Sequence, residues 1–186
     1  MKSIKDKMKY IKILIWIFII ALIYVSCERD DLCPESTQTT ASLVMETFDV
    51  SLPDDSKNVF GLRIEGVDND GNGIGVLEGY DVVTTNSIVL PLRTDQDVTV
   101  YKLHQNYTED EDGNPNGGNE DILTITYIRE DVFVSRACGY RTIFSNVQVR
   151  KDVADVDDDE WISLIQAQDD NQIVENEAEA HFILLH

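Results

Sequence analysis

Ile122–Arg129, which reads ILTITYIR, is the stretch that decides the fold class of this chain. Leu123, Ile125 and Tyr127 lie on one face of this stretch, and Thr124 and Thr126 are among the residues on the other. Successive side chains of a β-strand point to opposite faces of the sheet. The alternation therefore predicts a strand with one buried face.

Similar short stretches recur on both sides of it and are separated by residues typical of turns. Strands this short, at intervals of about 8–12 residues and without helical periodicity, are typical of a sandwich. The sequence predicts an all-β chain with a single antiparallel β-sandwich domain. The further predicted strands are Ser42–Val50, Val59–Glu65, Gly75–Gly79, Asp81–Thr84, Ser87–Leu92, Asp97–His104, Val132–Ser135, Thr142–Arg150, an edge strand after Trp161, and Ala178–Leu185.

Two strand faces and two connections follow from the same patterns. The predicted faces are Val44, Phe48 and Val50 in the first strand, and Ile143, Val147 and Val149 in Thr142–Arg150. Arg93–Gln96 resembles a hairpin connection between its flanking strands. Glu109–Asp121 is acidic and rich in Gly and Asn, which predicts a long loop.

The amino terminus has the features of an export signal. Five lysines lie among the first twelve residues, and the thirteen residues Ile13–Val25 carry no charge. A membrane-spanning helix needs about 20 apolar residues, so thirteen are too few. A basic segment followed by a short apolar one predicts a cleaved signal peptide over residues 1–26.

Ser26 and Cys27 resemble the lipobox of bacterial lipoproteins, in which the cysteine after the cleavage site carries lipid. Several acyl chains on Cys27 would hold the protein stably on a membrane. We expect a lipidated tether over residues 27–41 and the β-sandwich over residues 42–186. The alternative is an uncleaved membrane anchor with an incidental cysteine.

The mature part is strongly acidic, with 34 of the 35 Asp and Glu residues and 10 of the 15 Lys and Arg residues. This excess of negative charge argues against nucleic acid and anionic lipid surfaces as partners. A cation or a basic partner suits it better.

Cys33 and Cys138 remain once Cys27 is assigned to lipid, and export leads to an oxidising compartment. We predict that they form a disulfide. Two buried free thiols are the alternative, since spacing in the sequence does not show the geometry that a disulfide needs.

Asp68-Asn-Asp-Gly-Asn-Gly73 places oxygen donors at alternate positions before a glycine, as calcium loops do. A second acidic loop contains Asp110 and Asp112, which would bind the same ion or an ion of their own. The candidate calcium ligands are Asp68, Asp70, Asn72, Asp110 and Asp112. A hairpin turn is the competing interpretation of the first loop, and no other cofactor is indicated.

Catalytic motifs are missing from the sequence: it has neither a G-x-S-x-G elbow nor an H-E-x-x-H pair. Zinc on Cys33, Cys138, His104 and His181 lacks the close ligand spacing of known sites. A carboxylate pair for glycoside hydrolysis is not selected by any pattern. Exposed aromatic residues would offer a stacking surface, although core packing is their commoner role; the candidates are Tyr80, Tyr101, Tyr107, Tyr140 and Trp161.

The mature chain resembles a family of flavobacterial lipoproteins that is known only as a domain of unknown function. The resemblance rests on CERDDLCPES (Cys27–Ser36), SIVLPLRTD (Ser87–Asp95), VFVSRACGYRTIF (Val132–Phe144) and NEAEAH (Asn176–His181). It implies lipid on Cys27, a compact β domain and an envelope location, but no activity.

Arg29-Asp30-Asp31 is similar to the signal that such lipoproteins use to reach the cell surface. We therefore expect outer-membrane attachment, with the domain facing outward. The function expected from the sequence is a binding or accessory module for an envelope protein or a surface ligand. The alternatives are a calcium-stabilised structural domain and a glycan-active hydrolase.

Overall fold

The computed structural model describes residues 9–12, 14–18, 32–68, 70–152, 160–170 and 172–186. The chain divides into two compact units, Met1–Thr37 with Val134–Gly139, and Gln38–Phe133 with Tyr140–His186. In the first unit, residues 9–12 and 14–18 are helical. Among the described residues, no helix is long and apolar enough to cross a membrane.

The ten strands form two packed sheets, which confirms the predicted β-sandwich. A four-stranded sheet has the order β5-β1-β10-β9, and a six-stranded sheet has the order β3-β2-β6-β7-β8, with β4 also on β2. The strands are β1 (Leu43–Phe48), β2 (Val59–Val67), β3 (Gly73–Val76), β4 (Val83–Thr85), β5 (Ser87–Leu90), β6 (Val98–Glu109), β7 (Pro115–Ser135), β8 (Gly139–Asp152), β9 (Leu164–Ala167) and β10 (Phe182–Leu185).

The strand around ILTITYIR lies inside β7 and has the predicted buried face. Leu123 and Ile125 are fully buried, and Tyr127 is nearly so. The Tyr127 ring meets the buried Phe144 ring of β8 edge to face, with 4.9 Å between centroids. The two long strands therefore contribute to one core, which β1 and β10 of the other sheet complete.

The predicted face of β1 is wrong, and that of β8 is partly right. In β1 the fully buried side chains are Leu43, Met45 and Thr47. Apolar residues lie on both faces of that strand, so alternation alone does not identify the buried one. In β8, Val147 is buried and Val149 packs against the core as predicted, but Phe144 is buried instead of Ile143.

A bulge explains the change in β8. Asn146 has a positive φ of 51°. An extra residue in a strand shifts the alternation by one. Phe144 therefore points into the core before the bulge, and Val147 does so after it.

Both predicted connections are also wrong. Arg93–Gln96 joins β5 to β6, which belong to different sheets, so it is a crossover and not a hairpin. The stretch Glu109–Asp121 is not a long loop. Only a tight turn separates β6 from β7, and the residues from Pro115 onward belong to β7, which pairs with β6. Gly118, with φ of 96°, permits that pairing, since a Cβ there would lie 2.5 Å from the Gln105 carbonyl oxygen.

The pairing is antiparallel with one exception at the centre of the small sheet. Strands β1 and β10 run parallel, with Met45 opposite Phe182 and Phe48 opposite Leu185. The predicted edge strand after Trp161 is present as β9. The parallel pair brings the acidic segment before β10 against β1, and this positions the candidate site.

Candidate functional site

A groove of about 580 Å³ lies beside the four-stranded sheet, in the unit formed by Gln38–Phe133 and Tyr140–His186. Its wall includes the carboxylates of Glu46, Asp169, Glu175 and Glu179 together with His181. Glu46 belongs to β1, and the other four residues lie between β9 and β10. None of the described lining residues is Lys or Arg, so the groove has a strongly acidic wall.

The segment that forms most of the groove is held by backbone hydrogen bonds to the six-stranded sheet. The Val174 N–H donates to the Phe144 carbonyl over 2.8 Å, and the Phe144 N–H donates back over 3.1 Å. The Val147 N–H donates to Gln172, and the Arg141 guanidinium donates to the Glu175 carbonyl. The groove wall is thus fixed to β8 at several points.

His181 joins the same segment to β1. The Val44 N–H donates to His181 Nδ1 over 3.0 Å, so that nitrogen carries no proton, and the His181 N–H donates to the Val44 carbonyl. Burial lowers the pKa of His181 below its ordinary value of 6.5. The ring is therefore neutral at pH 7 and does not offset the carboxylates of the groove.

Another charged cluster lies on the six-stranded sheet. Arg63, His104 and Glu120 lie opposite one another on β2, β6 and β7. Glu120 accepts from His104 Nε2 at 3.0 Å, and His104 lowers the pKa of Glu120. Arg63 pairs with Glu65 and Glu109. Arg63 and Glu120 therefore have charged partners within the cluster, whereas His104 Nδ1 is buried without a hydrogen-bond partner among the described residues.

The candidate calcium loops use their oxygens to close two equivalent turns. Asp68 Oδ1 accepts from the N–H groups of Asp70 and Asn72, at 2.9 and 2.8 Å. Asp110 Oδ1 accepts in the same way from Asp112 and Asn114, at 3.0 and 2.8 Å. These hydrogen bonds lower the pKa of Asp68 and of Asp110.

The structure does not bring the two loops to one ion. They follow β2 and β6, which run antiparallel, so they lie at opposite ends of the sheet. Val67 is opposite Val100, and Glu109 lies nine residues further along β6, a separation of roughly 30 Å. The expectation of a shared ion is therefore wrong.

Metal binding in each loop separately has less support than the turn interpretation. Within the part of the chain that the structure describes, no three or more His, Cys, Asp or Glu side chains are grouped to hold a metal ion. Asn69 lies outside the described residues. A rise in melting temperature with millimolar calcium remains the test of independent sites at Asp68, Asp70 and Asn72, and at Asp110 and Asp112.

Cys33 and Cys138 form a disulfide, with Cα atoms 4.8 Å apart. This agrees with the expected pairing and removes both thiolates from any zinc site. The predicted lipidation site, Cys27, and most of the signal peptide lie outside the described residues.

The candidate aromatic residues do not share a surface. Tyr101, Tyr107 and Trp161 are buried, and the Trp161 indole N–H donates to the Leu103 carbonyl. Tyr140 is exposed instead and contacts Phe133. Most of these aromatic residues therefore have a structural role.

Sequence reasoning missed the groove because its residues are distant along the chain. Glu46 reaches the groove through the pairing of β1 with β10, and nothing in its local sequence marks it. The one available signal was the run after Ala167, where residues 168–181 contain five acids and no Lys or Arg.

The fold and site define a β-sandwich with an acidic groove on the side of its smaller sheet. A family model described as a family of unknown function, DUF6452, matches residues 62–186. That is well over half of the chain, which therefore belongs to this family. No curated protein and no solved structure matches the chain.

Proposed function

We propose that this protein is a lipid-anchored envelope lipoprotein whose β-sandwich binds a basic segment of a partner protein in the acidic groove. The anchor is supported by the five lysines, the thirteen uncharged residues and the Ser26-Cys27 pair. The basic partner is supported by one observation, which is a groove with four carboxylates and no Lys or Arg among its described lining residues.

The size and charge of the groove suit a few side chains of a partner. Binding sites for small ligands commonly have volumes of about 300–1,000 Å³, and the groove lies inside that range. Complementary charge speeds encounter and selects among partners. A Lys- or Arg-containing loop would bring positive charge to the carboxylates of Glu46, Glu175 and Glu179.

The location follows from the leader and from the residues after Cys27. The family resemblance and Arg29-Asp30-Asp31 support attachment to the outer membrane with the domain facing outward. In that position the protein would act as an accessory subunit of an envelope complex, held near its partner by lipid on Cys27.

Cross-linking in intact cells, followed by mass spectrometry of the co-purified proteins, tests this function. The variant combining Glu175→Gln and Glu179→Gln removes two charges from exposed positions of the groove wall. The matched control combines Glu111→Gln and Asp112→Asn, which removes two charges from the exposed β6–β7 turn. Cys27→Ala serves as the unanchored control.

We expect a stoichiometric partner with the native protein and the turn control, and severalfold less of it with the groove variant. Loss of the partner in Cys27→Ala would show that anchoring is needed. Equal recovery with both charge variants would overturn the role of the groove, and acylation that does not occur on Cys27 would overturn the anchor.

A further inference from the structure

The turn end of the β7–β8 hairpin, together with most of β8, differs in charge from the rest of this acidic protein. Residues 132–151 contain no Asp or Glu and four cations, Arg136, Arg141, Arg150 and Lys151, in a chain of formal net charge −20. The nine residues Val132–Tyr140 at its turn carry one charge, that of Arg136. Glu130 and Asp131 directly precede this stretch, so the acid-free part is confined to the turn end of the hairpin and to β8. Low charge at that turn reduces repulsion from lipid phosphates.

The same end of the hairpin exposes an aromatic pair. Phe133 is 57% exposed and Tyr140 is 70% exposed, and their rings meet edge to face with 5.4 Å between centroids. Alternation places Tyr140 on the strand face of the buried Thr142 and Phe144. The pair thus continues the core face of the hairpin beyond the point where the core covers it.

Aromatic side chains of this kind are enriched where a protein meets the headgroup region of a bilayer. Tyr has an apolar ring and a polar hydroxyl, so it suits a boundary that is apolar on one side and wet on the other. Leaving two such rings in water instead exposes apolar surface that burial would stabilise by roughly 25 cal/mol per Å².

The disulfide limits how far this end of the hairpin can be from the lipid anchor. Cys138, two residues before Tyr140, is bonded to Cys33, and Cys33 is six residues after Cys27. Six residues span at most about 20 Å when fully extended. Lipid on Cys27, which is part of the proposed function, would therefore hold the hairpin end close to the membrane surface.

We propose that the aromatic pair Phe133 and Tyr140 inserts into the headgroup region of the phospholipid bilayer that carries the Cys27 anchor. The contact sets the orientation of the domain, because it fixes a second point in addition to the lipid. The hairpin end then faces the bilayer.

Depth-dependent fluorescence quenching tests this orientation. Phe133→Trp and, separately, Tyr140→Trp are made in the full-length protein, which is purified from membranes and reconstituted in vesicles of phosphatidylcholine with brominated acyl chains. Phe60→Trp is the matched control, since Phe60 is also about 60% exposed. Phe60 lies on β2 three residues before Arg63, which is in one row with His104 of β6 and Glu120 of β7. Glu120 and Phe133 are thirteen residues apart along β7, so roughly 40 Å of strand separates that row from the aromatic pair.

We expect severalfold stronger quenching of the tryptophan at 133 and at 140 than of the tryptophan at 60. The wild-type signal is subtracted first; it comes from the buried Trp161 and, where the leader is retained, from Trp16. Intact mass of the same samples reports acylation. Equal quenching at all three positions in an acylated protein overturns the insertion and leaves the anchor in place. An absence of acyl mass on Cys27 overturns the anchor and the insertion together.

Discussion

Two consecutive regions of the chain have opposite charge and meet along β8. Residues 132–151 have four cations and no Asp or Glu, whereas residues 152–186 have eleven Asp and Glu and no Lys or Arg. The first region forms the end of β7, the turn and nearly all of β8, and the second contains the groove segment and β10. Backbone pairing of Phe144 with Val174 holds them together.

The difference shows that net charge alone is a poor guide to the partners of this protein. A formal charge of −20 argues against contact with phosphate-bearing surfaces. The acid-free stretch 132–151 is a local exception, although its residues Arg141 and Phe144 hydrogen-bond to the groove segment. One domain therefore carries both an acidic groove and, at the turn end of one hairpin, an exposed aromatic pair.

The largest expected effect comes from Phe144→Ala, which removes the side chain at the junction of the two regions. Phe144 is fully buried, and its ring packs on Tyr127. We expect the free energy of unfolding to fall by about 3–5 kcal/mol, because the truncation removes buried apolar surface and leaves a cavity. Urea denaturation of the mature domain measures the free energy of unfolding. Phe60→Ala, at an exposed position, is the control and should change it by less than about 0.5 kcal/mol.

The next effect tests the hairpin side of the comparison. Replacing Cys33 and Cys138 together by Ser opens a covalent loop with a sequence separation of 105. We expect a loss of about 2–4 kcal/mol, because the bond restricts the unfolded chain. Thermal melts of the variant, and of the wild type with and without reductant, measure it. A variant that melts like the oxidised wild type would contradict this expectation.

The sequence predicted local features well where one pattern dominated. Alternation in Leu123–Tyr127, where Thr124 and Thr126 separate the apolar residues, identified the buried face of β7 correctly, because nothing interrupts that strand there. The same method failed in part in β8, where the positive φ of Asn146 shifts the alternation. Acidic and glycine content suggested a loop at Glu109–Asp121, although the turn closed by Asp110 lets both flanking stretches pair as strands.

Features that depend on distant residues were not predictable in this way. The groove needs Glu46 of β1 beside residues just before β10, and that proximity comes from the parallel pairing of the two strands. No local pattern encodes a parallel pair between the first and last strands of a sandwich. Cys33 and Cys138 were the exception, because their pairing followed from their number and expected compartment.

The smallest expected effect is a pH dependence confined to the acidic region. Burial lowers the pKa of His181 and of His186 below 6.5, while the acid-free stretch 132–151 contains no histidine. Below pH 6.5 the two histidines become protonated in the unfolded chain, whereas in the folded protein they stay neutral until a lower pH. Their contribution to stability is therefore complete above pH 6.5 and is lost as the pH falls through that value toward the folded pKa. Melting temperatures between pH 7.5 and 5.5 should fall, and less so in His181→Gln than in the wild type. His186→Gln separates the two contributions, and a wild-type melting temperature that stays constant or rises over this range would show that the groove segment does not hold His181 neutral.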